Sequence, residues 1–120
     1  MSLAVVFGIG LCGGVGALAR FLLDSAIAGR GGGFPWGTLA VNLSGALLLG
    51  LVVGAAVGAD AYRLGGTGVI GSFTTFSTWA LESHRLGEDG RLRLGIANFI
   101  VSLVFGVGLA SLGRGLGAAL

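Results

Sequence analysis

The sequence predicts an all-α integral membrane protein with four transmembrane helices, the third of them broken. Three observations predict it. Of 120 residues, 54% are hydrophobic and only 10% are charged, where a soluble domain carries about 25%; mean hydropathy is +0.98. The apolar residues fall into four runs, each close to the ~20 residues that cross a bilayer. The third run carries GSFTTFSTW at Gly71–Trp79, in which five hydroxyl residues interleave with three aromatics. Hydroxyls are costly in hydrocarbon unless they are bonded, so this stretch marks a lined polar path or a helix break.

The four spans run roughly over residues 3–23, 37–57, 65–82 and 94–112, and together they form one domain over residues 1–120. The first run lacks the basic leader and cleavage site of a signal peptide and is expected to remain as a span. Between the first two, Asp24–Trp36 holds Arg30, a glycine run and the only proline, Pro35, which predicts a loop. Gly58–Leu64 and Ser83–Arg93, with most of the remaining charge, are read as the other two connections. Glycine is abundant, 26 residues, and falls inside the apolar runs, where small residues let membrane helices approach. Gly10 and Gly14 on the first span, and Gly50, Gly54 and Gly58 on the second, stand four apart and are read as packing stripes. The single cysteine, Cys12, is read as a small packing residue.

The third span is the least regular. Gly65, Gly66, Gly68 and Gly71 precede the hydroxyl cluster, and each glycine weakens a helix interior by about 1 kcal/mol relative to alanine. Unwound backbone at membrane depth is tolerated only within protein or beside a water-filled cavity. A break is therefore expected over Gly71–Thr75.

Charge limits the functional classes. All seven basic residues are arginine and the formal net charge is +2, too small and scattered for nucleic acid. Four spans put both termini on one side with Arg63 and Arg114. Arg20, Arg30, Arg85, Arg91 and Arg93 belong to the other. This bias is weak enough for insertion in both orientations, and literally applied it puts the termini outside. Four short helices enclose little room for a pathway, so an oligomer is expected. The deep parts of the spans hold no carboxylate, which argues against proton-coupled exporters. His84 sits in a charged stretch, and no nucleophile–base pair, nucleotide loop or metal-ligand cluster appears, so no enzyme is expected.

Deep polar groups remain. Asn42, with Thr38 one turn earlier, serves either an interhelical hydrogen bond or an amide donor facing an anion. Phe76 and Trp79 share a helix face, as core packing or as ring edges whose positive rim meets an anion. A break beside them would expose amides that favour anions and carbonyls that favour a cation. Asn98 and Ser102, four apart on the fourth span, either extend the polar stripe or bond to neighbouring helices.

These residues together resemble the CrcB/Fluc family of fluoride channels. The resemblance is carried by GGVGALARF at Gly13–Phe21, PWGTLAVNLSGALLLG at Pro35–Gly50, GSFTTFSTWALE at Gly71–Glu82 and, more loosely, Asn98 and Ser102 before Gly106. It covers essentially the whole chain. It implies a homodimer of antiparallel, dual-topology protomers in the inner (plasma) membrane, spanning it in multiple passes, and passive fluoride export along the dimer interface. It assigns Asn42 and Phe76 to the fluoride pathway, with Trp79, Thr38, Asn98 and Ser102 along it. Arg20 matches a pore-mouth arginine and Glu82 a vestibule carboxylate. Gly71 and Thr74 match positions whose backbone carbonyls hold a structural sodium ion on the two-fold axis. The chain departs from the family at Trp79, where phenylalanine is usual, at Phe73, usually aliphatic, and at Ser72, usually glycine. Trp79 still offers an aromatic edge and adds an N–H donor. Two other readings share the size and the spans: a dual-topology small multidrug exporter, which would want a glutamate in the first span, and a non-conducting subunit paired with an unlike chain.

Overall fold

The computed structural model describes residues 1–27, 30 and 32–120. Helix dominates the described residues. Among them, three helices are long and apolar enough to cross a membrane: Leu3–Ile27, Trp36–Gly54 and Leu92–Ala118. Between the second and the last runs an interrupted segment. A turn of α-helix, Ala59–Ala61, leads into a π-helix, Tyr62–Ile70, and a further α turn, Gly71–Phe73. The chain then opens over Thr74–Phe76 and resumes as an α-helix, Ser77–Glu88. The longest dimension is 49 Å, enough for a hydrocarbon layer of about 30 Å plus its interfaces.

The runs of apolar residues set the helices, and several boundaries move outward. The first helix continues to Ile27, past the expected end at residue 23. Residues 28, 29 and 31, within the loop expected over Asp24–Trp36, lie outside the described residues. The second helix stops at Gly54, short of residue 57, because Ala56 takes a left-handed conformation (φ 52°) that ends it. The connections read over Gly58–Leu64 and Ser83–Arg93 are largely helical. The second stays helical to Glu88, where His84 and Glu88 pair one turn apart at 2.6 Å, and only Asp89–Arg91 turns, with Gly90 at φ 76°.

Packing is closest between the second helix and Leu92–Ala118, the fourth helix of the bundle. A Cβ on Gly50 would strike the Ala110 carbonyl oxygen, and one on Gly54 that of Arg114. Reciprocally, Gly113 and Gly117 face the carbonyl oxygens of Leu47 and Leu51. Two small-xxx-small pairs thus bring backbone onto backbone. The first helix packs on the π-helix through a different register from the one expected. Gly10 and Gly14 face open space, whereas Gly8 meets Leu64, Gly16 meets Val69 and Ser72, and Cys12 rests against Gly68. Cys12 is the small packing residue that its setting predicts. Gly58 also faces open space; it starts the next helix instead of joining the stripe.

Candidate functional site at the helix break

The break lies at Thr74–Phe76, later than the expected Gly71–Thr75. Gly71 is helical, with φ −60° and ψ −36°, and its N–H donates back to the Gly66 carbonyl. The glycine run is absorbed by the π-helix rather than unwound. Thr74 is the residue that turns, with ψ 161°.

A long-range partner accounts for the turn. Asn42, on the second helix, holds Thr75 from both sides: Nδ2 donates to the Thr75 carbonyl and Oδ1 accepts its N–H, each at 2.8 Å. In a continuous α-helix the Thr75 N–H would donate to the Gly71 carbonyl. Diverted to Asn42, it leaves the Gly71 oxygen without its helical donor. The side chains at the break also bond mostly to backbone. Ser72 Oγ donates to Gly68 O at 2.6 Å and Thr74 Oγ1 to Ile70 O at 3.1 Å. Thr75 Oγ1 accepts the Thr78 N–H at 3.3 Å, an N-cap-like bond that satisfies one amide at the start of the second half-helix.

A groove of about 380 Å³ opens beside the break. It brings together Asn42, Gly71, Thr74, Phe76, Trp79 and Ser102. Phe76 is 74% exposed on the single chain. Trp79 is buried; its Nε1–H donates to the Asn98 carbonyl at 3.3 Å, and its ring stacks on Phe99. Asn98 is wholly buried, donates from Nδ2 to Ser83 Oγ at 2.8 Å, and has its Oδ1 unpartnered. Ser102 Oγ is likewise buried without a hydrogen-bond partner.

Thr38, Arg20 and Glu82 gather at a separate place, toward one end of the second helix. Thr38 Oγ1 donates to Glu82 Oε1 at 2.5 Å. Thr38 and Arg20 line a small cavity of about 20 Å³ with Asp24, Val41, Thr75 and Thr78. The Arg20 Nε is buried without a partner. Thr75 therefore joins the two places: it lines both the groove and this cavity, and its backbone is held by Asn42.

The model of the family described as CrcB-like protein, Camphor Resistance (CrcB), matches residues 7–114. The chain belongs to the CrcB family. Among its relatives, a protein named Fluoride-specific ion channel FluC 2 from Mycobacterium tuberculosis is 48% identical over 115 residues, covering 95% of this chain and 91% of the relative. Its namesake in Mycolicibacterium paratuberculosis is 50% identical over 114 residues, covering 94% and 93%. Fluoride-specific ion channel FluC 1 of Symbiobacterium thermophilum is 45% identical over 116 residues, covering 91% and 94%.

In this CrcB-family chain the groove gathers Asn42, Gly71, Thr74, Phe76, Trp79 and Ser102, while Thr38 and Arg20 line the neighbouring cavity, Glu82 is bonded to Thr38, and Asn98 lies behind Trp79. Sequence reasoning did not single out Thr75, whose backbone is the counterpart of Asn42, or Ser83 and Phe99, which receive Asn98 and Trp79. Thr75 had a local signal, the cap spacing to Thr78. The other two depend on contacts between distant segments.

Proposed function

We propose that this chain is a fluoride-selective channel that lets fluoride leave the cell down its gradient, lowering its cytoplasmic concentration. The observation that carries the reading is the groove at the break, where the Asn42 amide, the Phe76 ring and the Ser102 hydroxyl converge. Fluoride is small and strongly hydrated, so a pathway must replace its water with closely spaced donors. Asn42 commits one amide hydrogen to Thr75 and has a second to offer. Phe76 presents a ring whose edge carries positive potential. The amides at the start of Ser77–Glu88 add the favourable end of a helix dipole. Ser102 and Asn98 continue the polar line along the fourth helix, Trp79 forms the wall behind Phe76, and Thr38, Arg20 and Glu82 stand at a mouth. The names carried by relatives covering nearly the whole chain support the same substrate.

The functional unit is an antiparallel homodimer of dual-topology protomers in the inner membrane, each a single four-span domain. An exposed Phe76 beside an open groove supports a second copy lying over this face, as does the weak arginine asymmetry. At the two-fold axis the carbonyl oxygens of Gly71 and Thr74 would hold a sodium ion. The residues fit that group: the Thr75 N–H is diverted from Gly71, Thr74 is extended, and both residues line the groove. A sodium ion held by these carbonyls would supply a positive charge at the break without a side-chain ligand.

The test is fluoride efflux from liposomes that hold the purified protein, followed with a fluoride electrode in sodium buffer. Efflux with chloride retained is expected. No efflux of either ion would overturn the homodimeric channel, and efflux only on co-expression with a related chain would assign it to a pair of unlike subunits.

A further inference from the structure

Trp79 stands where the groove meets the fourth helix, and every polar and aromatic feature of its side chain is already engaged. An indole has one hydrogen-bond donor and no acceptor. That donor goes to the Asn98 carbonyl at 3.3 Å. The ring lies stacked on Phe99, with centroids 4.9 Å apart and planes 19° from parallel. It meets Phe76 edge to face at 5.3 Å and 66°. Only 6% of the residue is exposed.

The bond to Asn98 is part of a closed circuit. Asn98 Nδ2 donates to Ser83 Oγ at 2.8 Å, and Ser83 Oγ donates to the Trp79 carbonyl at 2.9 Å. Two of these bonds tie the half-helix after the break to the fourth helix, and the third, within the half-helix, closes the loop through Ser83. The half-helix has lost its hydrogen-bonded helical continuity with the segment before it, so its tilt must be fixed by side contacts such as these.

Resting on the channel reading, we infer that Trp79 is a positioning residue and not a ligand of the permeating ion. It locks the second half-helix to the fourth helix through Asn98 and Phe99, and through its edge-to-face contact it sets the angle at which Phe76 faces the groove. Phe76 is then the one aromatic of the pair that meets fluoride, and Phe99, outside the groove lining, becomes a determinant of conduction.

Two measurements test this. The chain has two tryptophans, so protein labelled with 15N-tryptophan gives two indole N–H resonances, assigned by Trp36→Phe. On titration of the wild-type protein with sodium fluoride, the Trp79 indole resonance is expected to stay in place and to exchange slowly with deuterium. A saturable fluoride-dependent shift of that resonance would show the N–H binding the ion and overturn the inference. In liposomes, Phe99→Leu removes the stack without touching a groove residue and is expected to slow fluoride efflux about tenfold with the oligomer intact. Unchanged efflux in Phe99→Leu would overturn the proposal. If that variant does not assemble, the wild-type titration decides alone. Absence of wild-type efflux removes the channel reading; efflux together with a fluoride-shifted Trp79 resonance removes only this one.

Discussion

Asn42→Asp separates the structural and the ionic roles of one side chain. The carboxylate keeps an oxygen to accept the Thr75 N–H, so the bond at 2.8 Å that diverts this amide survives. The opposite bond, Nδ2 to the Thr75 carbonyl, is lost, which leaves a part-buried acceptor unpaired at about 1–3 kcal/mol. The larger effect is charge. A unit charge about 4 Å from a passing anion opposes it by about 4 kcal/mol at an effective dielectric near 20. With tenfold for each 1.4 kcal/mol, fluoride efflux should fall by about a hundredfold to a thousandfold. The assay is electrode-monitored efflux from liposomes, with size-exclusion chromatography to show that the oligomer persists. Asn42→Ala is the companion: it breaks both bonds, each worth about 0.6–2 kcal/mol between membrane helices, and should lower thermal stability as well as efflux. Efflux within threefold of wild type for an intact Asn42→Asp oligomer would refute the pathway role of this residue.

Three further outcomes follow from the same structure. Phe76→Ile, at a position 74% exposed on the single chain, should reduce efflux while chromatography shows assembly unchanged; collapse of assembly would make Phe76 a packing residue. Gly113→Ala sets a methyl against the Leu47 carbonyl and close to the Leu51 amide, backbone on both counts, and should destabilise the protein by about 1–3 kcal/mol in a thermal unfolding assay in detergent. Replacing sodium by a bulky organic cation should lower both thermal stability and efflux, and equal stability in the two buffers would remove the ion from the Gly71 and Thr74 carbonyls.

The helical architecture was legible because hydropathy is a sum over many residues and four runs stand out from a chain with few charges. The break was legible as an event but not in its place. Glycines at 65, 66, 68 and 71 suggested unwinding there, yet in the structure Gly66 makes room for the Tyr62 ring and Gly68 for Cys12, and the segment widens to a π-helix and keeps its hydrogen bonds. The turn comes three residues later, where Asn42 supplies Thr75 with both of its backbone partners from 33 positions away. No local propensity encodes that bond. The same holds for Trp79, whose aromatic character could be read from the chain but whose donor was committed by Asn98 on another helix. The glycine stripes divide on similar grounds. Spacing alone ranked Gly10 and Gly14 with Gly50 and Gly54, and only the placement of the neighbouring helices distinguishes a face that meets backbone from one that does not.

The nine residues of Tyr62–Ile70 have one more consequence. A π-helix bonds each amide one residue further back than an α-helix does, so this stretch holds its downstream neighbours out of α-helical phase with its start. Phase is direction: one residue corresponds to about 100° around an α-helix. Were the same nine residues to wind as an α-helix, the Gly71 and Thr74 carbonyls would swing around the axis and away from the groove without either residue being altered. The aim of the break is therefore set a full helical turn before the break itself, by the winding of the chain that leads to it.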